Sequence, residues 1–331
     1  MASSNVPTGL LDVKNMDLND SDTEISSIVM DCILMENVPV QWSDVAGLGD
    51  AKEALTEAVI LPIQFSHLHT EEQIPCRRVL LIGPPGTASS DLVSRWMGKS
   101  EKLIRSVFEL ALARQPSIIC IDDVDMLCLS RLDNENVRKI KNELLISIQE
   151  VGGNEIFVIG ATNAPWLLDA DIRTCFEKCI RVPLPEENAR LMILKQHLGN
   201  MSGKLTEECI RTVANNTKDY SGADIVLVAR DALMQPVRKI QSSTHFRKIS
   251  SMCAGNEETI PEDFLVPCSP GDVGAIKMSW MEVPSEKLYV APVTTENILE
   301  SLSTTKPSID EDYMKKLDKF MEVYGQSSLE H

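Results

Sequence analysis

Short apolar runs, each followed by polar or glycine residues, mark the first half of the chain. They cover residues 79–82, 117–121 and 156–159. Runs of this length that are rich in β-branched residues are typical of strands buried on both faces of a parallel sheet. We therefore expect an α/β fold in which helices connect parallel strands.

Helical spacing follows the first of these runs. A parallel crossover needs roughly a dozen residues or more, and the stretch 88–116 is long enough for one helix to connect the first two strands. Its apolar positions recur about every three to four residues, so the stretch can bury one face. These positions are Leu92, Val93, Trp96, Leu103, Ile104, Val107, Phe108, Leu110 and Ala111.

The second half of the chain has a different pattern. Helices are predicted over 187–198, 207–217, 222–242, 295–303 and 310–324, where the periodicity is helical. Between the third and fourth of these, Pro and Gly become frequent and residues 278–283 alternate between apolar and polar. This alternation predicts a strand within a small β insertion.

These patterns divide the chain into five parts. We expect a flexible acidic lead over 1–39, a large α/β domain over 40–185 and a small helical domain over 186–248. A β insertion over 249–293 and C-terminal helices over 294–331 complete the chain. The large domain carries the candidate chemistry.

A glycine-rich loop follows the first apolar run. Its residues are Gly83, Pro84, Pro85, Gly86 and Thr87. An intact phosphate-binding loop continues with Gly-Lys-Ser/Thr, in which the lysine reaches the phosphates and the hydroxyl holds Mg²⁺. Here Ala88 and Ser89 follow, so the lysine is missing and only Ser90 supplies the hydroxyl. A plain turn is the alternative interpretation of this fragment.

Polar side chains also follow the next two runs. Asp122 and Asp123 end the second run, and Asn163 follows the third. Carboxylates in this position can hold Mg²⁺ and act as a catalytic acid or base. An acidic turn and an ordinary turn asparagine are the alternatives, but open α/β sheets place ligands at such strand ends.

Composition limits the possible functions. The 331-residue chain has a net charge of −17, so nucleic acid is not an expected partner, because a phosphate backbone requires a basic surface. Its nine cysteines include no C-x-x-C pair, which argues against zinc and favours reduced thiols in the cytosol. No apolar run has the length of a membrane span, so contact with membranes is expected only through protein partners.

Several longer stretches match one family. They are residues 42–48 (WSDVAGL), 57–63 (EAVILPI), 160–163 (GATN), 220–225 (YSGADI), 230–239 (RDALMQPVRK), 267–272 (PCSPGD) and 280–284 (WMEVP). On these the chain resembles the AAA ATPases, in the meiotic branch and nearest the vacuolar protein sorting-associated protein 4 class. The resemblance extends from about Val40 over nearly all of the remaining chain.

The resemblance implies a role for each matching residue, with ATP and Mg²⁺ as cofactors. Asp122 would hold the magnesium ion together with Ser90, Asp123 would stand at the catalytic carboxylate, and Asn163 would orient the attacking water. A second set would contact adenine or close over the nucleotide. Its members are Asp44, Val45, Ala46, Gly47, Gly222 and Ala223.

The resemblance also implies a central pore that grips an extended peptide. Arg95, Trp96 and Met97 match the gripping loop of that pore. The alternative is that Trp96 is a core residue, because aromatic side chains on an apolar helical face usually pack inside.

The departures from the family pattern concern catalysis. The sequence Ser90-Asp91-Leu92-Val93 follows Thr87 almost at once, as an internal deletion of the lysine, its helix and one strand would leave it. Thr174 and Cys175 stand where the family has two arginines that reach the neighbouring subunit's ATP. Such an arginine can contribute roughly a thousandfold or more to turnover. We expect ATP hydrolysis to be slow or absent.

The family resemblance implies partners and a location. Relatives form hexameric rings, bind a co-activator and disassemble filaments of the endosomal sorting (ESCRT) machinery, so a cytoplasmic protein at the periphery of endosome membranes is expected. The three-helix filament-binding domain of the family is not expected in residues 1–39. Three interpretations stay open: a working or residual ATPase, a non-catalytic subunit of homo- or hetero-hexamers, and a truncated splice or gene-model product.

Overall fold

The computed structural model describes residues 41–65, 76–86, 101–128, 135–151, 155–199, 205–248 and 264–325. Its central element is a parallel sheet of four strands in the order β2-β3-β1-β4. The strands are β1 (Arg78–Ile82), β2 (Ser117–Ile121), β3 (Ile156–Thr162) and β4 (Lys178–Arg181). The predicted parallel α/β fold is confirmed.

One face of this sheet is covered by three helices. They are α3 (Glu101–Ala113), α4 (Glu135–Glu150) and α10 (Glu311–Tyr324), the last helix of the chain. Leu103, Ile104, Phe108 and Ala111 of α3 are buried, as the helical spacing predicts. The other part of that predicted stretch, which includes Leu92, Val93 and Trp96, lies outside the described residues. Leu317 and Phe320 join α10 to the same core.

The opposite face is covered by the segment that precedes β1. This segment consists of α1 (Gly49–Leu55), a π turn (Thr56–Ile60) and α2 (Leu61–Gln64). Its buried residues pack on β1, β3 and β4 and leave this face of β2 uncovered, since Ile118 is 50% exposed and Cys120 is exposed as well. Within the described sheet, β2 is therefore an open edge strand.

The small domain packs four helices around a separate core. They are α6 (Glu187–Leu198), α7 (Glu207–Asn216), α8 (Gly222–Ser242) and α9 (Thr295–Thr304). These bounds agree with the predicted helices to within a residue or so, the usual uncertainty of helix ends.

A buried arginine connects the small domain to the end of the large one. Arg190 in α6 donates through Nη1 to the carbonyl oxygen of Pro185 (2.9 Å), and through Nε and Nη2 to that of Ala214 in α7 (3.0 and 2.8 Å). Both carbonyls are thus satisfied by a residue of a different element, which fixes α6 against the junction at residue 185.

The β insertion is confirmed, but one strand predicted within it is wrong. Its antiparallel strands are β5 (His245–Lys248), β6 (Leu265–Cys268) and β7 (Ile276–Lys277), and Phe246 is fully buried beneath them. The alternating residues 278–283 contain instead a 3₁₀ turn, Trp280–Glu282. Ser279 and Glu282 form a capping box around this turn, and such a box favours helical over extended backbone.

No helix in the described part of the chain is both long enough and apolar enough to cross a membrane. The same residues contain no group of three or more His, Cys, Asp or Glu side chains arranged to hold a metal ion.

Close packing around β3 gives a first prediction. A methyl group at Gly160 would lie 2.5 Å from Cζ of Phe176 and 3.2 Å from Cδ1 of Leu80, both of them buried. We expect Gly160→Ala to lower the free energy of unfolding by about 1–3 kcal/mol, the usual cost of overpacking a core. Urea unfolding followed by circular dichroism measures the change.

Gly49→Ala is the matched control. Gly49 begins α1, and a methyl group there would meet no atom within 4 Å. It should leave the unfolding midpoint unchanged or slightly raised. Equal effects of the two substitutions would contradict the packing around Gly160.

Candidate active site

The parallel sheet brings four of the predicted site residues to one edge. Gly83 follows β1, Asp122 and Asp123 follow β2, and Asn163 follows β3. The Gly83 amide donates to the carbonyl oxygen of Thr162 at 3.4 Å, which joins the start of the loop to the end of β3. Asn163 Nδ2 donates to Asp123 Oδ1 at 3.3 Å. The side chains of Asp123 and Asn163 are thus in contact at this edge.

An unusual backbone conformation directs Asp123 toward Asn163. Asp123 has φ = 47°, in the left-handed region that few residues other than glycine enter. Aspartate tolerates this conformation better than most residues. Its amide donates to Oδ1 of the preceding Asp122 at 2.9 Å, which holds the turn after β2. Strained residues of this kind cluster at functional sites.

Three carboxyl groups make the site acidic. Burial raises the pKa of the Asp123 carboxyl above its ordinary value, and the charges of Asp122 and Asp125 raise it further. The hydrogen bond from Asn163 acts in the opposite direction. Asp125 is itself buried and accepts a 2.5 Å hydrogen bond from Oγ1 of Thr162. A positive charge near these carboxyl groups would favour their ionised forms.

The glycine-rich loop touches the beginning of α8. The carbonyl oxygen of Gly86 accepts a 3.3 Å hydrogen bond from the amide of Ala223. Gly86 has φ = 81°, and a methyl group there would lie 2.7 Å from Cβ of Ala223 and 2.9 Å from Oγ of Ser221. Glycine is required at this position both for the conformation and for the close approach. The loop and α8 are therefore in direct contact where the two domains meet.

Amides of the first turn of α8 are already bonded within the chain. Besides the Ala223 amide, that of Asp224 donates to Oγ of Ser221 and that of Ile225 to the carbonyl oxygen of Ser221. A helix N-terminus attracts anions through such amides. These three amides would have to exchange a partner before they could bind one.

The segment expected near adenine lies against the small domain. Asp44 ends a 3₁₀ turn and accepts a 2.8 Å hydrogen bond from the amide of Gln41, so its carboxylate is used locally. Val45 is exposed. Gly47 has φ = 65°, and a methyl group there would lie 3.0 Å from Cβ of Ala189 in α6. The segment therefore abuts the small domain, as an interdomain nucleotide pocket requires.

Lys52 holds this segment in place. Its Nζ donates to the carbonyl oxygens of Trp42 (3.0 Å) and Val45 (2.5 Å). Sequence reasoning missed Lys52, since a lysine in a helix one turn after the motif reads as an ordinary surface residue.

The positions matched to the family's arginines present no cation. Oγ1 of Thr174 donates to the carbonyl oxygen of Asp171 at 3.0 Å, and Cys175 is buried with its thiol toward the same oxygen. The neighbouring Arg173 lies over the ring of Tyr324, with its Cζ 4.2 Å from the ring centroid. Arg173 is thus engaged by the last helix of its own chain.

Some predicted residues cannot be placed. Thr87, Ser90, Arg95, Trp96 and Met97 lie outside the described residues. The choice between a pore-loop and a core position for Trp96 stays a prediction.

Three family models match parts of the chain. The model of the ATPase family associated with various cellular activities (AAA) matches residues 86–184, and that of the AAA+ lid domain matches 208–251. The model of the Vps4 C terminal oligomerisation domain matches residues 265–325. Together with the parallel sheet and the helical lid, these matches define an AAA ATPase.

Curated relatives narrow the assignment. The chain is 47% identical over 335 residues to vacuolar protein sorting-associated protein 4A of Homo sapiens, covering 94% of this chain and 77% of that protein. It is 48% identical over 343 residues to vacuolar protein sorting-associated protein 4B of Mus musculus, with 93% and 77% covered. The chain belongs to the vacuolar protein sorting-associated protein 4 family of AAA ATPases.

Solved structures agree on the fold. The AAA domain of FIGL-1 superposes with a TM-score of 0.72 at 28% identity, covering 92% of this chain and 96% of that one. A katanin structure superposes with a TM-score of 0.67 at 27% identity, covering 92% and 99%.

Two features of the sequence matches concern the loop. The alignment with the human relative runs over 335 residues, more than the whole chain contains, although only 94% of the chain is used. Part of that alignment therefore has no residue in this chain, as an internal deletion requires. The AAA model begins its match at Gly86 and leaves out β1 and residues 83–85.

A prediction follows from the hydrogen bond beneath the acidic turn. Thr162→Val keeps the shape of the side chain but leaves the buried carboxylate of Asp125 without this donor. An unsatisfied buried group costs about 1–3 kcal/mol, so we expect the free energy of unfolding to fall by that amount.

Thr162→Ser, which retains the hydroxyl, is the matched control. It should recover the part of the stability that belongs to the hydrogen bond, as measured by urea unfolding at neutral pH. A serine variant no more stable than the valine variant would show that the methyl group matters instead.

Proposed function

We propose that this chain is a subunit of a vacuolar protein sorting-associated protein 4-type assembly that hydrolyses ATP slowly or not at all. The main support for this proposal is an excess of negative over positive charge at the candidate site. Asp122, Asp123 and Asp125 lie on one turn, while the sequence from residue 83 to 94 contains no lysine or arginine.

The donor set fits only part of an ATP–magnesium complex. The carboxylate of Asp122 suits Mg²⁺, and the segment 44–47 against α6 suits a base between two domains. The β- and γ-phosphates of ATP are strongly negative and need a cation or free amides. Without the loop lysine, and with three amides of the first turn of α8 already bonded within the chain, phosphate affinity should be low. The residues present therefore do not fit the whole ATP–magnesium complex.

The same imbalance extends to the subunit boundary. A neighbouring subunit of the same sequence would offer Thr174 and Cys175 where the family uses arginines. In a ring made only of this chain, no boundary would receive the missing positive charge from these positions. A mixed ring with intact relatives would still contain some complete sites.

Partner and location follow from the family. The match to an oligomerisation domain over residues 265–325 supports assembly into rings. The names of the relatives, vacuolar protein sorting-associated proteins 4A and 4B, support a role in endosomal sorting. We propose mixed hexamers that engage ESCRT filaments and the family co-activator at endosome surfaces, with membranes contacted only through those proteins.

A residual ATPase is the second candidate. It is favoured by the hydrogen bond between Asn163 and Asp123, which keeps the polar pair that would orient and activate water. Weak hydrolysis with another cation in place of the loop lysine would satisfy this arrangement.

Steady-state ATP hydrolysis separates these candidates. We expect the rate of the purified chain to lie more than about a thousandfold below that of human vacuolar protein sorting-associated protein 4A, since a finger arginine alone can contribute that factor. Asp122→Ala sets the contaminant background. A rate clearly above that background would overturn the non-catalytic proposal and support the residual ATPase.

Ring entry is tested by titrating the chain into the same human relative. A non-catalytic subunit should lower the activity of the mixture in proportion to its incorporation, with a matching shift in mass by sedimentation. An unrelated acidic protein at equal concentration is the control. No shift and no inhibition would favour a truncated product without a role in rings.

A further inference from the structure

A short segment that leads into α10 contacts both the small domain and the large domain. At one end, the amide and Oγ of Ser308 donate to Oδ2 of Asp224 in α8, at 3.2 and 3.0 Å. At the other end, the hydroxyl of Tyr313 donates to the carbonyl oxygen of Asn163 and lies 3.4 Å from that of Gly83. The segment 308–313 thus spans from the lid helix to the strand ends of the large domain.

Tyr313 is held firmly in this position. Its amide donates to Oδ1 of Asp310 at 2.7 Å, which caps the start of α10. Its ring meets Trp166 edge-on, with the centroids 5.1 Å apart. Leu317, one turn further along α10, is fully buried in the core of the large domain. The hydroxyl therefore has little freedom to choose another acceptor.

The environment keeps this hydroxyl protonated. Burial raises the pKa of Tyr313 to about 12, and the negative charge of Asp125 contributes in the same direction. At neutral pH the group is therefore a hydrogen-bond donor, and the carbonyl of Asn163 is its acceptor.

We propose that Tyr313 is a positioning residue whose hydroxyl fixes the main chain of Asn163 and, through it, the direction of the Asn163 amide toward Asp123. Ser308 and Asp224 connect the same segment to the lid. Through these contacts, a movement of α8 would change the position of Asn163 relative to Asp123. Its relevance to nucleotide rests on the proposed function, whereas the positioning itself does not.

The contacts separate this role from simple packing. A phenylalanine at position 313 would keep the ring against Trp166 and the cap by Asp310, since neither uses the hydroxyl. Only the bonds to the carbonyls of Asn163 and Gly83 would be lost. If the Tyr313 ring served only for packing, Tyr313→Phe would therefore cause no change at the Asn163 side chain.

The test uses the full chain labelled with ¹⁵N-asparagine and ¹⁵N-glycine, without nucleotide. We expect Tyr313→Phe to shift the Asn163 side-chain amide and the Gly83 amide, while circular dichroism stays unchanged. Tyr324→Phe is the matched control, because Tyr324 ends the same helix and contacts Arg173 instead. Unchanged Asn163 resonances in a folded Tyr313→Phe protein would overturn the proposal.

A second variant keeps the test decisive if Tyr313→Phe unfolds. Ser308→Ala removes the Oγ bond to Asp224 but leaves the core contacts of α10 in place. We expect it to shift the amide of Asn163 as well as those near Asp224. Shifts confined to the resonances near Asp224 would overturn the proposed link between α8 and Asn163.

ADP titration separates this inference from the proposed function. If the site binds ADP, Tyr313→Phe should weaken binding by about fivefold, the low end of couplings between sites, and equal affinity would overturn the link to nucleotide. Absence of ADP binding by the unmodified chain would count against a nucleotide site, and the resonance shifts would still decide the role of Tyr313.

Discussion

Parallel pairing of β3 with both β1 and β2 is the constraint on which the candidate site depends. In a parallel sheet the carboxyl ends of all strands lie at one edge. Residues that follow different strands therefore come close together there, even when they are far apart in sequence. Gly83, Asp122 and Asn163 become neighbours for this reason. The register of the strands then decides which residues become neighbours. Because Ile82 pairs with Thr162, the start of the glycine-rich loop lies beside Asn163.

The sequence predicts the elements better than their contacts. Buried strands and amphipathic helices are visible because their apolar spacing is a local property, and the helices over 187–198 and 222–242 match their predicted bounds. The turn at Trp280–Glu282 departs from its alternating pattern because Ser279 and Glu282 bond locally. Lys52 and Tyr313 could not be predicted, since their partners are decided by how separate helices dock.

The fold and the chemistry of the site depend on different residues. Burial of residues such as Leu80 and Val158 stabilises the sheet, whereas the phosphate loop contributes little to that core. Three carboxylates on one turn repel one another, and a nearby cation would relieve this repulsion. The glycine-rich loop has no lysine to attract phosphate, yet β1 before it remains paired with β3.

The segment 308–313 limits how far the lid can move without breaking a contact. Five extended residue steps reach at most about 18 Å, and the capped first turn of α10 makes the true reach shorter. Rotation of α8 away from the sheet must therefore release either Asp224 from Ser308 or Asn163 from Tyr313. The hydrogen bond between Ser308 and Asp224 is exposed to water at Ser308. The hydrogen bond from Tyr313 to Asn163 involves a tyrosine that is half-buried against Trp166. Because exposed hydrogen bonds exchange with water at lower cost, the lid end should release first and Tyr313 should stay with the large domain.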